Sequence, residues 1–314
     1  MKYLRLIPSD TNIDFLKYKK FAFLFSLLIL LGTVFSLLFN SLNYGIDFKG
    51  GILLELRSKN VNSLDINDLR NRISSLDVGE ISIQKFGKET DILVRIQKQE
   101  GDEKNQIKVI ERVKSLTIED YDIRRSEFVG PVVGEELKFA GILAVCLALL
   151  SIMIYIWFRF EWQFSIAAII ALTHDVFSTV GLFSILQLEF NLATIAAILT
   201  TAGYSINDTV VIFDRVRENL RRYKSKDHYF IYNKSINETL SRTVITSVTT
   251  LIALLIIFFF GGAVLADFSL AMIWGVLIGT FSSIFVAVSL LTFFNINKGE
   301  QITNETNIPE YERD

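Results

Sequence analysis

Histidine and cysteine are almost missing from this sequence, and each shortage removes a class of chemistry. Two histidines, His174 and His228, stand in 314 residues, so a histidine-rich metal site is not expected. The single cysteine, Cys146, has no internal disulfide partner, and its place in an apolar run marks it for packing. Lysine and arginine number 32 against 34 acids, a net charge of -2, which offers nucleic acid no basic surface. There is no glycine-rich phosphate loop, because Gly50-Gly51 precede no Lys-Ser or Lys-Thr, and ATP binding is not expected. Ser178 lies close to His174-Asp175, but no nucleophile-elbow pattern surrounds it, which argues against a hydrolase triad. The chain is therefore read as no enzyme, with neither metal nor bound cofactor.

Long charge-free runs are what the sequence has in quantity. Hydrophobic residues make up 51% of it, and about 20 apolar residues in a helix cross a hydrocarbon core of roughly 30 Å. Six segments meet that length: 21–39, 139–158, 162–186, 191–213, 243–266 and 268–294. Gly261-Gly262 is expected to end the fifth helix early. The first run reads as an uncleaved anchor, not a removable signal. Lys17, Lys19 and Lys20 precede the first span, and seven bases from Arg215 to Lys234, with Arg242 beyond, separate spans four and five. The link between spans three and four holds Glu189, and that between five and six Asp267, with no base in either. That bias places both termini in the cytoplasm.

The expected architecture is an α-helical membrane protein of six transmembrane helices with one extracytoplasmic domain between spans one and two. Residues 1–20 form a cytoplasmic segment, 21–39 the first span, 40–138 the outer domain, 139–297 a five-helix bundle and 298–314 a cytoplasmic tail; 224–233 is expected to be a solvated link. Within the outer domain, 52–57 alternates as a strand, and Asn62 or Ser63 caps a helix with apolar positions Ile66, Leu69, Ile73 and Leu76. Ile81, Ile83 and Ile92, Val94, Ile96 alternate around a Gly87 turn, a second helix carries Ile107, Ile110, Val113 and Leu116, and 121–129 is a last strand. The order β-α-β-β-α-β is ferredoxin-like.

Ionisable groups inside a span are costly and mark a bundle interior or a water path. Asp208 lies six residues before Asp214, about 9 Å deeper along a helix. Thr201, Tyr204 and Ser205 share its face, with Thr200, Gly203 and Asn207 on the adjoining stripe, and such a face must meet another polar surface. The fifth span is the candidate: a helix beginning near Ser235 puts Arg242 about 10 Å in, followed by Thr246, Thr249 and Thr250 on one face. An Asp208–Arg242 pair that a proton loosens is the chemistry of a proton-driven switch; the alternative is that Arg242 snorkels and Asp208 only bonds hydroxyls. His174-Asp175 in the third span is either a proton-path or a helix-packing site. Gly275 and Gly279, with Ser282 and Ser283 a turn on, allow close helix approach.

These residues carry a resemblance. Tyr44-Gly45-Ile46-Asp47-Phe48-Lys49-Gly50-Gly51 resembles the G-x-D-F-x-G-G signature of the SecD and SecF export proteins. The run from Gly203 to Asn219, containing Asn207-Asp208-Thr209 and Phe213-Asp214-Arg215, is similar to the fourth-span signature on the SecF side of that family. Ser241-Arg242-Thr243 and Leu172-Thr173-His174-Asp175 resemble its fifth- and third-span motifs. The likeness covers nearly the whole chain. It implies a half of a resistance-nodulation-division-class transporter in the bacterial inner membrane, partnered by a separate SecD chain and by the SecYEG channel, with SecA acting indirectly, YajC a further candidate partner and preproteins the substrate. It implies protons as the coupling ion, with Asp208 and Arg242 at the positions tied to proton transport. On this reading Asp208 moves the bundle, and the outer domain follows through a hinge at Asp47 to Gly51 and a link at Gly130-Pro131. The rival readings are a half-transporter of the same class that moves a lipid or small molecule, and a purely structural membrane scaffold.

Overall fold

The structure is a computed structural model and describes residues 11–59, 66–79, 81–86, 88–97, 103–294 and 296. A single 3-10 turn, Leu16–Tyr18, leads into α1 (Lys19–Phe39). Then come β1 (Asn43–Tyr44), α2 (Ile46–Lys49), β2 (Gly51–Ser58), α3 (Ile66–Ser74), β3 (Ile81–Phe86), β4 (Lys88–Ile96), α4 (Glu103–Thr117) and β5 (Tyr121–Val129). The rest is helical except for β6 (Glu189–Phe190): α5 (Pro131–Arg159), α6 (Trp162–Leu186), α7 (Leu192–Arg222), α8 (His228–Phe260), α9 (Ala263–Phe281), a π-helical turn Ser282–Ala287 and α10 (Val288–Leu291).

Among the described residues, six helices are long and apolar enough to cross a membrane. The chain is a multi-pass membrane protein. Its helix ends follow local chemistry. Pro131 opens α5 at the first turn, where its missing N–H is harmless. Asn191 and Thr194 form a reciprocal capping box at the start of α7. Asp227 accepts from Phe230 N at 3.0 Å at the start of α8. Gly261 and Gly262 close α8 as expected, and Gly262 takes φ 78°, where an L side chain is strained. The helices α6 and α9 form the centre of the bundle, while α1, α5 and α8 turn most of their surface outward. Cys146 is exposed on α5, so it is not the packing residue its apolar run suggests.

The domain between the first two spans is ferredoxin-like, as its pattern predicts. Its sheet runs in the order β3-β4-β2-β5, antiparallel throughout. Alternation sends Ile52, Leu54, Leu56, Ile92, Val94 and Ile96 to one face, where they pack with Leu69 and Ile73 of α3 and Val113 of α4. The α4 stripe differs from the expected one: Gln106, Val109, Val113 and Thr117 face inward, and Ile107 is exposed. The Asn62 or Ser63 cap, the Gly87 turn and the tail 298–314 lie outside the described residues.

Several boundaries move, among them the end of α7, which runs to Arg222 and not to 213. Helix α5 begins at Pro131, so it rises continuously from the end of β5, well before the apolar run at 139. Helix α8 begins at His228, not near Ser235, and Arg242 lies fourteen residues in. Its first turns are not a solvated link. Tyr232 is fully buried, and the Asn233 and Asn237 side chains hold the backbone of Ile13 and Phe15 through four hydrogen bonds of 2.8 to 3.0 Å.

Candidate functional site

Small residues bring α7 and α9 together. A side chain on Gly275 would collide with Thr201, and one on Gly279 would sit 2.8 Å from the Ser205 Cβ. This approach places hydroxyls from two helices around a carboxylate on a third. Asp175, fully buried on α6, accepts from Ser205 Oγ of α7 and from Ser282 Oγ of the π-helical turn, each at 2.6 Å and both at Oδ2. Its Oδ1 faces His174 Nδ1 at 3.0 Å. Around this centre Thr209 Oγ1 meets Ser283 Oγ at 2.8 Å, and Trp274 Nε1 donates to Ser178 Oγ at 2.7 Å. In hydrocarbon a carboxylate survives only with such partners.

The Thr201 and Ser205 part of this α7 face therefore meets α6 and α9. Asp208 is 2% exposed, and its Oδ2 has no hydrogen-bond partner among the described residues. Arg242 is exposed and forms no ion pair among the described residues. Its charge is within electrostatic reach of Asp208, with no ion pair between the two in this structure. Thr246 and Thr249 bond carbonyls of their own helix. Thr200, Gly203 and Asn207 lie exposed on α7, and space is open beside Gly203.

The glycine-rich segment forms a joint. β1 pairs in parallel with β6, Asn43 opposite Glu189 and Tyr44 opposite Phe190. Asp47 Oδ2 accepts from Leu192 N at 2.9 Å, placing an acid at the positive end of α7. Phe48 and Tyr44 pack around Phe190. A side chain on Gly45 would meet Glu189 Oε1 at 2.5 Å, so the Glu189 carboxylate would have to shift. Gly50 and Gly51 have φ values of 71° and 126°, in glycine territory. Arg95 of β4 completes the joint with an ion pair to Glu189. The segment expected to be a hinge at Asp47 to Gly51 is thus clamped on two sides.

The family model described as protein export membrane protein SecD/SecF, C-terminal, matches residues 108–297, and the SecD/SecF GG motif matches 35–60. A protein translocase subunit SecF of Rickettsia bellii is 44% identical over 95% of this chain and 98% of its own. The one from Rickettsia rickettsii is 43% identical over 93% and 94%.

The chain belongs to the SecD/SecF protein-export family.

A solved structure of SecDF, a translocon-associated membrane protein from Thermus thermophilus, superposes with a TM-score of 0.82 at 35% identity over 92% of this chain. This chain spans 39% of the length of that SecDF chain. A SecDF structure in a super-membrane-facing form gives 0.66 at 36% identity over 90%.

In SecD/SecF terms, the fourth-span signature also extends beyond the membrane-embedded face. Asp214 pairs with Arg159 at 3.2 Å, joining α7 to the end of α5. Arg215 bonds Glu218 and Glu238 at 2.6 Å each, and Asn219 Nδ2 donates to the same Glu238 carboxylate at 2.7 Å. Glu238, Glu189 and Arg95 were not singled out by sequence. Glu238 and Glu189 carried a weak signal, as isolated acids at the edges of apolar runs; Arg95 carried none, being one charge in an alternating strand.

Proposed function

We propose that the chain acts as the SecF subunit of the Sec translocase, paired with a separate SecD chain, and that the pair uses the proton-motive force to complete preprotein movement through SecYEG after the ATP-driven work of SecA. The observation that carries this reading is the outward polar face of α7 and α8. Asn207 and Arg242 are exposed at the level of the apolar spans, where lipid satisfies neither polar group, and exposed Thr200, Gly203 and Thr249 border them. A partner's polar helices fit that face. Asp208, buried with one oxygen unpartnered, lies next to it and is placed to exchange a proton at the seam.

No cofactor and no covalent chemistry are needed; the proton is the coupling ion. One charge crossing the membrane potential is worth roughly 2.3 kcal/mol per 100 mV. That exceeds the roughly 1.4 kcal/mol that shifts a two-state equilibrium tenfold. The route outward runs along α7, whose first turn is held by Asp47 and whose preceding loop is held by Arg95. The basic residues before the first span and between spans four and five support cytoplasmic termini in the bacterial inner membrane, with the ferredoxin-like domain outside.

The test is gradient-driven export in vesicles containing SecD, SecYEG and SecA. Asp208→Asn should abolish the gradient-dependent stage while leaving the ATP-dependent stage and SecD co-purification intact. Full gradient-dependent export by Asp208→Asn would overturn the proposal.

A further inference from the structure

A cavity of about 450 Å³ separates α1, α6 and the terminal helix, lined by Ser26, Leu30, Thr173, His174, Phe177 and Leu290 among others. Its walls are apolar apart from three groups. Ser26 and His174 are 6% and 4% exposed, and Ser26 Oγ and His174 Nε2 have no hydrogen-bond partner among the described residues. Thr173, which is exposed, adds a second hydroxyl to the lining. Two buried polar atoms without partners on one cavity demand a reason, because each forfeits its solvation. Three hydrogen-bonding groups line this one cavity, and a water molecule needs about two to four such partners.

The other edge of the same imidazole leads to the centre of the bundle. His174 Nδ1 faces Asp175 Oδ1 at 3.0 Å, and Asp175 Oδ2 accepts from Ser205 and Ser282. Asp175 is the only ionisable group on α6 beside His174. From α1 the cavity wall offers Ser26, Phe23, Leu27 and Leu30, and from the terminal segment Val286 and Leu290, none of them charged. From α7 the nearest acid along the chain to Ser205 is Asp208, three residues on.

We propose that His174 is a proton relay between this cavity and Asp175. The inference rests on the proton-coupled reading above and adds a second protonation centre to it. With Asp175 ionised, the ring carries its hydrogen on Nδ1 and presents a lone pair at Nε2 to the cavity. A proton from water in the cavity adds to Nε2, and the Nδ1 hydrogen passes to Asp175 Oδ1. The ring returns to neutral with its tautomer reversed, and the carboxylate becomes a carboxylic acid. A neutral acid is a weaker acceptor for the two serine hydroxyls, so α7 and the terminal helix are both loosened by one event. Asp175 is thus the point where a proton is read by two helices.

Two variants, with Asp208→Asn as control, test this in the SecD-containing vesicles. His174→Asn keeps an N–H at the Nδ1 position and deletes the group at Nε2; Ser26→Phe fills the cavity. Both should lower the gradient-driven rate by at least about tenfold, flatten its pH profile, and leave the ATP-driven stage and SecD co-purification unchanged. A wild-type rate and pH profile in His174→Asn would show that the Nδ1 contact alone matters, and the relay would fall. Should His174→Asn not assemble, Ser26→Phe decides: a wild-type rate overturns the relay, and a tenfold loss supports it. If Asp208→Asn is inactive while both relay variants are normal, this inference alone fails. If Asp208→Asn exports normally, the proton-coupled reading itself fails.

Discussion

Ser282, on the last membrane helix, donates to Asp175 of the third at 2.6 Å, across 107 residues of sequence. Ser205 donates to the same oxygen from the fourth. Three helices are therefore pinned at one atom, and the pin is fully buried. Removing one hydroxyl leaves the carboxylate with one donor fewer at that oxygen. Ser205→Ala and Ser282→Ala should each cost about 1–3 kcal/mol, measured as a fall in the melting temperature of the purified complex. Asp175→Ala should cost more than either, because it strips partners from two serines and a histidine at once. An Asp175→Ala protein as stable as wild type would show that the pin does not hold the helices.

The α7–α9 seam tolerates no added bulk. Gly279→Val places a branched side chain against Ser205, and Gly275→Val drives one into Thr201. Each should destabilise the bundle by about 1–3 kcal/mol through overpacking. Gly203→Val, with open space at its Cβ, should leave the isolated chain's melting temperature unchanged. Gly203→Val should instead weaken co-purification with SecD, since the partner is expected to cover that face. Equal effects of Gly203→Val and Gly279→Val on the isolated chain would contradict the assignment of the two faces.

The joint between the ferredoxin-like domain and α7 depends on Arg95 and Glu189, whose side chains are 15% and 16% exposed. A pair so far withdrawn from water should couple more strongly than a surface ion pair, by about 1–2 kcal/mol in a double-mutant cycle. Arg95→Ala should also speed hydrogen exchange at the Gly45 amide, which donates to Phe190 O at 2.9 Å beside the pair. Unchanged exchange at Gly45 would mean that β1 and β6 hold without the ion pair.

Ile13 and Phe15 are tied to Asn233 and Asn237 by backbone-to-amide bonds. Asn237→Leu removes two of them and leaves the Ile13 amide unpaired. It should lower stability by about 1–3 kcal/mol and expose residues near Ile13 to added protease. Resistance to proteolysis equal to wild type would count against the strap.

The motif residues divided cleanly into those readable one at a time and those that needed neighbours. Asp208, Asp175 and His174 were legible because a titratable group in an apolar run is costly wherever the helix goes. The glycines of 45–51 were legible as a signature, but their reason was not. A side chain at Gly45 would meet Glu189, about 140 residues away, and no local rule predicts that approach. Whether Asp208 meets Arg242 was not legible, for a related cause. Periodicity assigns each residue to a helix face, but it does not say which helix that face meets. The α8 start was misplaced because its first turns are polar, while the asparagines there serve the chain's own N-terminal strap.

By itself the sequence determined the membrane spans, their number and the ferredoxin-like order, because hydrocarbon length and strand alternation are local demands that each segment must meet alone. Only the tertiary structure decided that Asp175 receives Ser205 from the polar face of the fourth span. That choice depends on how closely Gly275 and Gly279 let two backbones approach, and close approach is a property of helix pairs, which no single helix encodes.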